Sequence, residues 1–184
     1  MMRVIAGTAR SMPLKTPKGN DTRPTTDRIK ETLFNMLQNH IPGCVFVDVC
    51  SGSGAIGIEA LSRGASHAYF IDRDQACIQC IKDNLAFTKL DQKSTILKQD
   101  ACTALNMIHE KAVDVVFADP PYEAGMEMSI LGTLSKMPYV NGDTLVIIEA
   151  LMDTDFSFAS EYGFDILKEK CYKTNKHVWL TRQP

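Results

Sequence analysis

The sequence predicts an α/β fold: a three-layer Rossmann-like sandwich on a mostly parallel sheet, with a C-terminal antiparallel strand and a short N-terminal extension. Three observations carry that prediction. From residue 44 onward short apolar runs alternate with helical patterns, the arrangement of βαβ units with right-handed crossovers. A Gly-x-Gly-x-x-Gly loop follows the first apolar run and opens the next helix. The last two apolar runs have no helix between them, so they are expected to pair antiparallel.

The chain begins with two short extended pieces, 3–7 and 13–16, around turn-forming residues. Pro24-Thr25-Thr26-Asp27 then offers helix-start chemistry, with Thr or Asp as the cap and Glu31 in an early turn. Ile29, Leu33, Met36 and Leu37 follow at helical spacing and predict an amphipathic helix over 26–39, ending before Pro42-Gly43. Cys44-Val45-Phe46-Val47-Asp48 reads as a strand buried on both faces. A helix at 55–63 and a strand at 67–71 complete the first βαβ unit. Further strands are expected at 93–98, 113–118 and 144–149, with helices at 75–87, 101–110 and 126–136. The terminal pair falls at 164–169 and 176–181.

Length and composition bound the function. The 184 residues suffice for one domain with a sizeable core. No apolar run reaches the roughly 18 residues of a membrane helix. The first residues lack the apolar stretch of a secretion signal. Six cysteines, mostly inside apolar runs, therefore read as reduced thiols of a cytoplasmic protein. A net charge of −2 excludes a globally basic nucleic-acid coat, but the charge is uneven. Residues 1–30 hold seven Lys and Arg against two Asp; the rest holds thirteen against twenty. A basic front on an acidic body suits a local grip on a polyanion, although a solvated terminus has the same composition.

Gly52-Ser53-Gly54-Ala55-Ile56-Gly57 lies between strand and helix, and Asp72 lies 20 residues beyond Gly52 at the end of the second strand. That is the context of a dinucleotide fingerprint, with the acid on ribose hydroxyls. Asp48 argues for a different adenosine cofactor. A carboxylate ending the first strand would repel a pyrophosphate and attract a cation. S-adenosyl-L-methionine carries a sulfonium and an ammonium beside its adenosine. Asp100, before Ala101, is placed to meet the adenine amino group, to cap the next helix, or both.

Asp119-Pro120-Pro121-Tyr122 ends the strand at 113–118. Prolines there can simply stop a strand. At the carboxyl edge of a doubly wound sheet, where ligands bind, they also stiffen a corner that presents Asp119 and the Pro120 carbonyl as fixed acceptors. Two acceptors suit an exocyclic amino group. Its nitrogen lone pair is delocalised into the base, and accepting both N–H bonds favours a pyramidal nitrogen aimed at the methyl donor. Tyr122 offers a stacking face for an extruded base, worth roughly 1–3 kcal/mol.

Together these features resemble the class I adenosylmethionine-dependent methyltransferases that act on exocyclic amines. More narrowly, the chain resembles the RsmD-type 16S rRNA guanine-N2 methyltransferases over nearly its whole length. The segments are Met2–Gly7, Arg23-Pro24-Thr25-Thr26-Asp27-Arg28 through Asn35, Gly52-Ser53-Gly54, Gly57, Arg63-Gly64-Ala65 and Asp119–Tyr122. The resemblance implies methylation of N2 on one guanine of 16S rRNA, in the small ribosomal subunit or an assembly intermediate, by a monomer that needs no metal. It implies an RNA-binding extension and helix over 1–42 and an S-adenosylmethionine-dependent methyltransferase domain over 43–184. Asp48, Gly52, Ser53, Gly54, Asp72, Asp100 and Ala101 would hold the cofactor. Asp119, Pro120, Pro121 and Tyr122 would hold the base, and Arg3, Arg10, Lys15, Arg23, Thr25 and Arg28 the RNA. An adenine-N6 methyltransferase and a non-catalytic RNA-binding assembly factor remain as alternatives.

The chain departs from the family at Cys50-Ser51, which is expected to loosen packing beside the loop, and at Ser11-Met12, which removes a basic residue. Asp72 stands where Glu is common. Cys77-x-x-Cys80 lies in a helical pattern without a second pair, so a structural role is expected. Glu149 ends the fifth strand and is a candidate to face the site. Tyr172 and Trp179 are expected in the core, and Met126 and Met128 are candidates for a lid.

Overall fold

The computed structural model describes residues 2–17, 26–122 and 125–184. Seven strands form one sheet in the order β3-β2-β1-β4-β5-β7-β6. They are β1 (Val45–Val49), β2 (His67–Asp72), β3 (Ser94–Lys98), β4 (Val115–Ala118), β5 (Leu145–Leu151), β6 (Phe164–Cys171) and β7 (Asn175–Arg182). β1 to β5 pair in parallel; β7 runs antiparallel between β5 and β6. The chain moves outward from β1 to β3 and then returns to place β4 on the other side of β1. That reversal opens a crevice at the carboxyl ends of β1 and β4, where ligands of such sheets bind.

Alternating side chains send each strand's residues to two layers of helices. Phe46, Phe70, Phe117 and Trp179 pack on one face against α1 (Asp27–Met36), α2 (Ala55–Ser62) and α3 (Gln75–Thr88). Val47, Val49, Val116 and Val146 pack on the other against α4 (Ala101–Leu105) and α5 (Met126–Leu134). The faces alternate because the strand period is two. By the same rule Asp48, between Val47 and Val49, points to the α2 side.

Local chemistry sets the helix starts. The Thr26 hydroxyl accepts from the Ile29 amide, the Asp74 carboxylate from Ala76 and Cys77, and the Asp100 carboxylate from Thr103. α4 is shorter than the expected 101–110, since its C-cap falls at Asn106 and Ile108 is buried as the chain turns toward β4. α1 stops at Met36 for a turn leading to Pro42.

The two short extended pieces expected at 3–7 and 13–16 face each other without forming full strands: Val4 donates to Met12 at 3.0 Å and Leu14 to Met2 at 2.9 Å. An antiparallel bridge joins Arg3 to Pro13, and the segment is also pinned to α2. Glu59, fully buried, accepts from the Ile5 and Ala6 amides at 2.8 and 3.0 Å and from Arg63 at 2.8 Å. Lys30 reaches the same carboxylate at 3.4 Å and donates to the Arg3 carbonyl. Val4, Ala9 and Leu14 share the core cluster of Leu33 and Phe34. Gly7 adopts φ +85°, and a Cβ there would lie 1.8 Å from the Ser62 carbonyl oxygen.

Candidate active site

A cavity of about 1220 Å³ opens over the carboxyl ends of β1, β2, β4 and β5. It is bounded on one side by α1 and on the other by the β6–β7 turn. One lobe contains the glycine loop with Asp48, Asp72, Asp100 and Ala101. The other contains Asp119, Pro120, Pro121 and Tyr122 together with Glu149, Tyr172 and Asn175. The expected cofactor and base residues therefore meet in one space, except Gly54, which is outside the lining and lies over Phe70 and Ile81.

The glycine loop is shaped by the acids on either side of it. Gly52 and Gly54 have φ of +55° and +77°, a region that disfavours side chains. The Gly52 amide donates to Asp72 Oδ2 at 2.9 Å, and the Gly57 amide to Asp48 Oδ2 at 2.9 Å. Gly57 serves packing, because a Cβ there would sit 2.4 Å from the ring of Phe70. Nothing lies within 4 Å of a Cβ built on Gly52, so the loop's outer side is open.

Asp48 stands on the cavity wall near the carboxyl end of β1, the side expected for the cofactor. It is only 2% exposed, and burial raises its pKa to about 8 despite the Gly57 hydrogen bond. Cys50-Ser51 reverses its expectation. Ser51 Oγ donates to the Asp48 carbonyl at 2.7 Å and accepts from the Ile71 amide at 2.9 Å, which ties β1 to β2 beside the loop. Burial lifts the Cys50 thiol to about 12, so it is no nucleophile near neutral pH. Asp100 is exposed and its pKa is lowered by the hydrogen bonds from Thr103; it caps α4 while bordering the cavity.

Asp119 extends one residue past β4, its amide bonded to the Val49 carbonyl at 3.2 Å. Burial first, then the neighbouring Glu149 and Asp48, holds its carboxyl well above the usual carboxylate range. Tyr122 is 49% exposed at the rim, as a stacking face requires. Met126 borders the cavity at the start of α5, whereas Met128 faces solvent.

The basic residues divide. Arg28 borders the cavity from α1. Arg3 and Lys15 lie elsewhere and pair with Asp27 at 3.1 Å and Asp83 at 2.8 Å. Arg10 is exposed away from the cavity lining, and Arg23 and Thr25 lie outside the described residues.

Sequence reasoning missed the opposite lip. Lys170 and Lys173 border the cavity at the β6–β7 turn, and Tyr172, expected in the core, faces it too. Behind them Glu149 accepts from Asn175, meets His177 Nε2 at 3.1 Å, and is backed by Tyr172 at 3.2 Å from His177 Nδ1. Only Glu149 gave a signal in the sequence, as an acid at a strand end. Trp179 is buried as expected, and no group of three metal-ligating side chains gathers among the described residues.

A glycine loop and an Asp-Pro-Pro-Tyr corner on neighbouring strand ends, in a sheet of this order and with β7 reversed, define a class I methyltransferase fold. The family model described as Conserved hypothetical protein 95 matches residues 2–181, and the chain belongs to that family, the RsmD-type methyltransferases. YlbH of Bacillus subtilis (strain 168), named provisionally as an rRNA methyltransferase, is 37% identical over 150 residues, covering 80% of this chain and 82% of that protein. Ribosomal RNA small subunit methyltransferase D of Escherichia coli (strain K12) is 34% identical over 151 residues, covering 81% and 74%. The solved structure of yhhF from Escherichia coli, described provisionally as a methyltransferase, superposes with a TM-score of 0.83 at 30% identity, covering 99% and 98%.

Proposed function

We propose that this chain transfers a methyl group from S-adenosyl-L-methionine to the exocyclic N2 of one guanine in 16S rRNA, within the small ribosomal subunit or its assembly intermediate. The observation that carries the reading is that the Asp119 corner and the glycine loop open into one cavity. The names of the relatives supply the rRNA and the small subunit. The same reading implies a monomer in the cytoplasm, where ribosomes assemble. No described helix is long and apolar enough to cross a membrane.

The residues present fit the cofactor. The open side of Gly52 admits close backbone approach, and Asp72 stands beside it for ribose hydroxyls. Asp100 and Ala101 border the adenine end, and Asp48 offers a buried carboxyl to a cationic group. S-adenosylmethionine supplies a methyl group already activated on a sulfonium. The chain's own work is then mainly positioning. Asp119 and the Pro120 carbonyl accept from the N2 hydrogens, Tyr122 stacks on the extruded base, and Pro120 and Pro121 keep the acceptors from yielding. On gaining the methyl group, with the carbon–sulfur electron pair leaving on sulfur, N2 would become acidic. Asp119 in its ionised form, which burial and the neighbouring Glu149 and Asp48 make more basic than an ordinary carboxylate, would take the surplus proton and pass it to water.

The test uses methyl-labelled cofactor and small subunits from cells lacking this activity, followed by digestion to nucleosides. Label in N2-methylguanosine supports the reading. Label in N6-methyladenosine replaces the base assignment, and absence of label on particles, naked rRNA and assembly intermediates points to a binding factor. Asp119→Ala is expected to lower turnover at least about 100-fold, the lower end of the range for losing one positioned catalytic group. Calorimetry should find its cofactor affinity near that of the unaltered protein.

A further inference from the structure

The corner accounts for the two hydrogens of an exocyclic amine but not for the choice of base. Adenine and guanine both offer such an amine, and they differ in what flanks it. In guanine N2 lies beside N1–H, so three donors share one edge. In adenine N6 is flanked by N1 and N7, both acceptors. A second fixed acceptor next to Asp119 would attract the first base and repel the second.

Glu149 stands in that place. The last parallel pair between β4 and β5 is Ala118 with Ile148, so Asp119 and Glu149 are the next residues on adjacent strands. Both border the cavity. On the other side β7 sets His177 directly opposite Glu149. The Glu149 carboxylate is held from two directions, by Asn175 on Oε1 and by His177 on Oε2 at 3.1 Å. A carboxylate only accepts, so His177 Nε2 donates to it, while Nδ1 lies in hydrogen-bond reach of the Tyr172 hydroxyl at 3.2 Å. The imidazole is itself packed edge-on against Phe117, with centroids 5.6 Å apart. A carboxylate has about four acceptor positions, and these bonds use two of them. The group is thus fixed in direction with acceptor capacity left over, as a preorganised recognition element requires.

We propose that Glu149 selects guanine by accepting its N1–H while Asp119 and the Pro120 carbonyl hold the N2 hydrogens. His177, Asn175 and Tyr172 are positioning residues that aim this carboxylate. The proposal rests on the methyl-transfer reading above and adds the origin of its base specificity.

2-Aminopurine separates the contributions, because it keeps the 2-amino group but presents a bare acceptor at N1. Small subunits are reconstituted with guanine or 2-aminopurine at the position mapped by labelling, and single-turnover rates are compared. The unaltered protein is expected to act roughly 10- to 100-fold more slowly on 2-aminopurine, as for loss of a hydrogen bond to a charged group. In Glu149→Gln the amide can donate to the bare N1, so the preference should shrink to within about threefold while cofactor affinity holds. Equal rates of the unaltered protein on the two particles overturn the proposal and need no variant. So does a Glu149→Gln protein that binds cofactor yet keeps the original preference, since a merely structural carboxylate would lower both rates alike. Label found in adenine on the guanine particle removes the underlying reading, and this inference with it.

Discussion

At the scale of single residues, Asp48 makes the sharpest prediction. Its folded pKa of about 8 stands far above the ordinary 3.8, so the folded protein holds this proton more tightly than the unfolded chain does. The group's contribution to stability is therefore greatest in acid and declines as pH rises from about 4 to about 8, with no further change above. A bound cation favours the ionised form. Cofactor binding should then release a proton, and affinity should rise by up to about tenfold per pH unit below 8 before levelling off. Calorimetry in buffers of different ionisation enthalpy measures the proton directly. Asp48→Asn separates this proton from that of Asp119, whose pKa is also raised. An unchanged pH slope in that variant would reassign the proton. Gly57→Ala tests the neighbouring contact: its Cβ meets Phe70 at 2.4 Å, so α2 must shift, at a cost of about 1–3 kcal/mol in denaturant unfolding. These positions were legible as a motif. What the sequence left hidden is that the loop's acids spend their hydrogen bonds on the loop itself.

At the scale of elements, the alternation of apolar runs and helical patterns located every strand of the sheet, because period two and period 3.6 are local signals. Long-range pairing is a different matter. Asn175-x-His177 matches no motif, and its meaning arises only when β7 enters antiparallel beside β5 and sets His177 against Glu149. Glu59 was hidden for the same reason. Within α2 it reads as an ordinary helical glutamate, yet it gathers the Ile5 and Ala6 amides, Arg63 and Lys30 into one buried cluster. Burial lowers the pKa of Lys30 even against the attraction of that carboxylate. Removing the acid leaves a buried cation and two half-buried amides without their partner. Glu59→Ala is thus expected to cost about 3–5 kcal/mol in urea unfolding, as for breaking a buried ion pair from one side. The N-terminal segment should become the first cut by protease, because these bonds fasten it to α2. A loss below about 1 kcal/mol would show that apolar contacts of Val4, Ala9 and Leu14 alone secure it.

At the scale of the whole molecule, the cavity has two basic lips on an otherwise acidic body, and Arg73, just after β2, borders it as well. One is Arg28 on α1, which belongs to the basic front visible in the composition. The other is Lys170 and Lys173 at the β6–β7 turn, which composition could not reveal because Glu169 and Asp165 dilute it in sequence. Folding removes part of that dilution. Glu169 is paired with Lys176 at 3.1 Å, and Asp165 stands at the opposite end of β6 from the turn. A base extruded into the Asp119 lobe would bring its flanking phosphates between the lips, with sequence-independent contacts on both sides. Replacing Lys170 and Lys173 by Ala should weaken particle binding and flatten its dependence on salt by about 0.7–0.9 in log–log slope per lost contact. Cofactor affinity should not change, since neither lysine borders the glycine loop. Arg3→Ala and Lys15→Ala should flatten the slope less. Each already pairs with a carboxylate, and each lies outside the cavity lining. Filter binding of small subunits over a salt series gives all four slopes. If the lysine pair leaves the slope unchanged while Arg3 and Lys15 reduce it, the RNA lies along the N-terminal face, and the β6–β7 turn serves only to enclose the base.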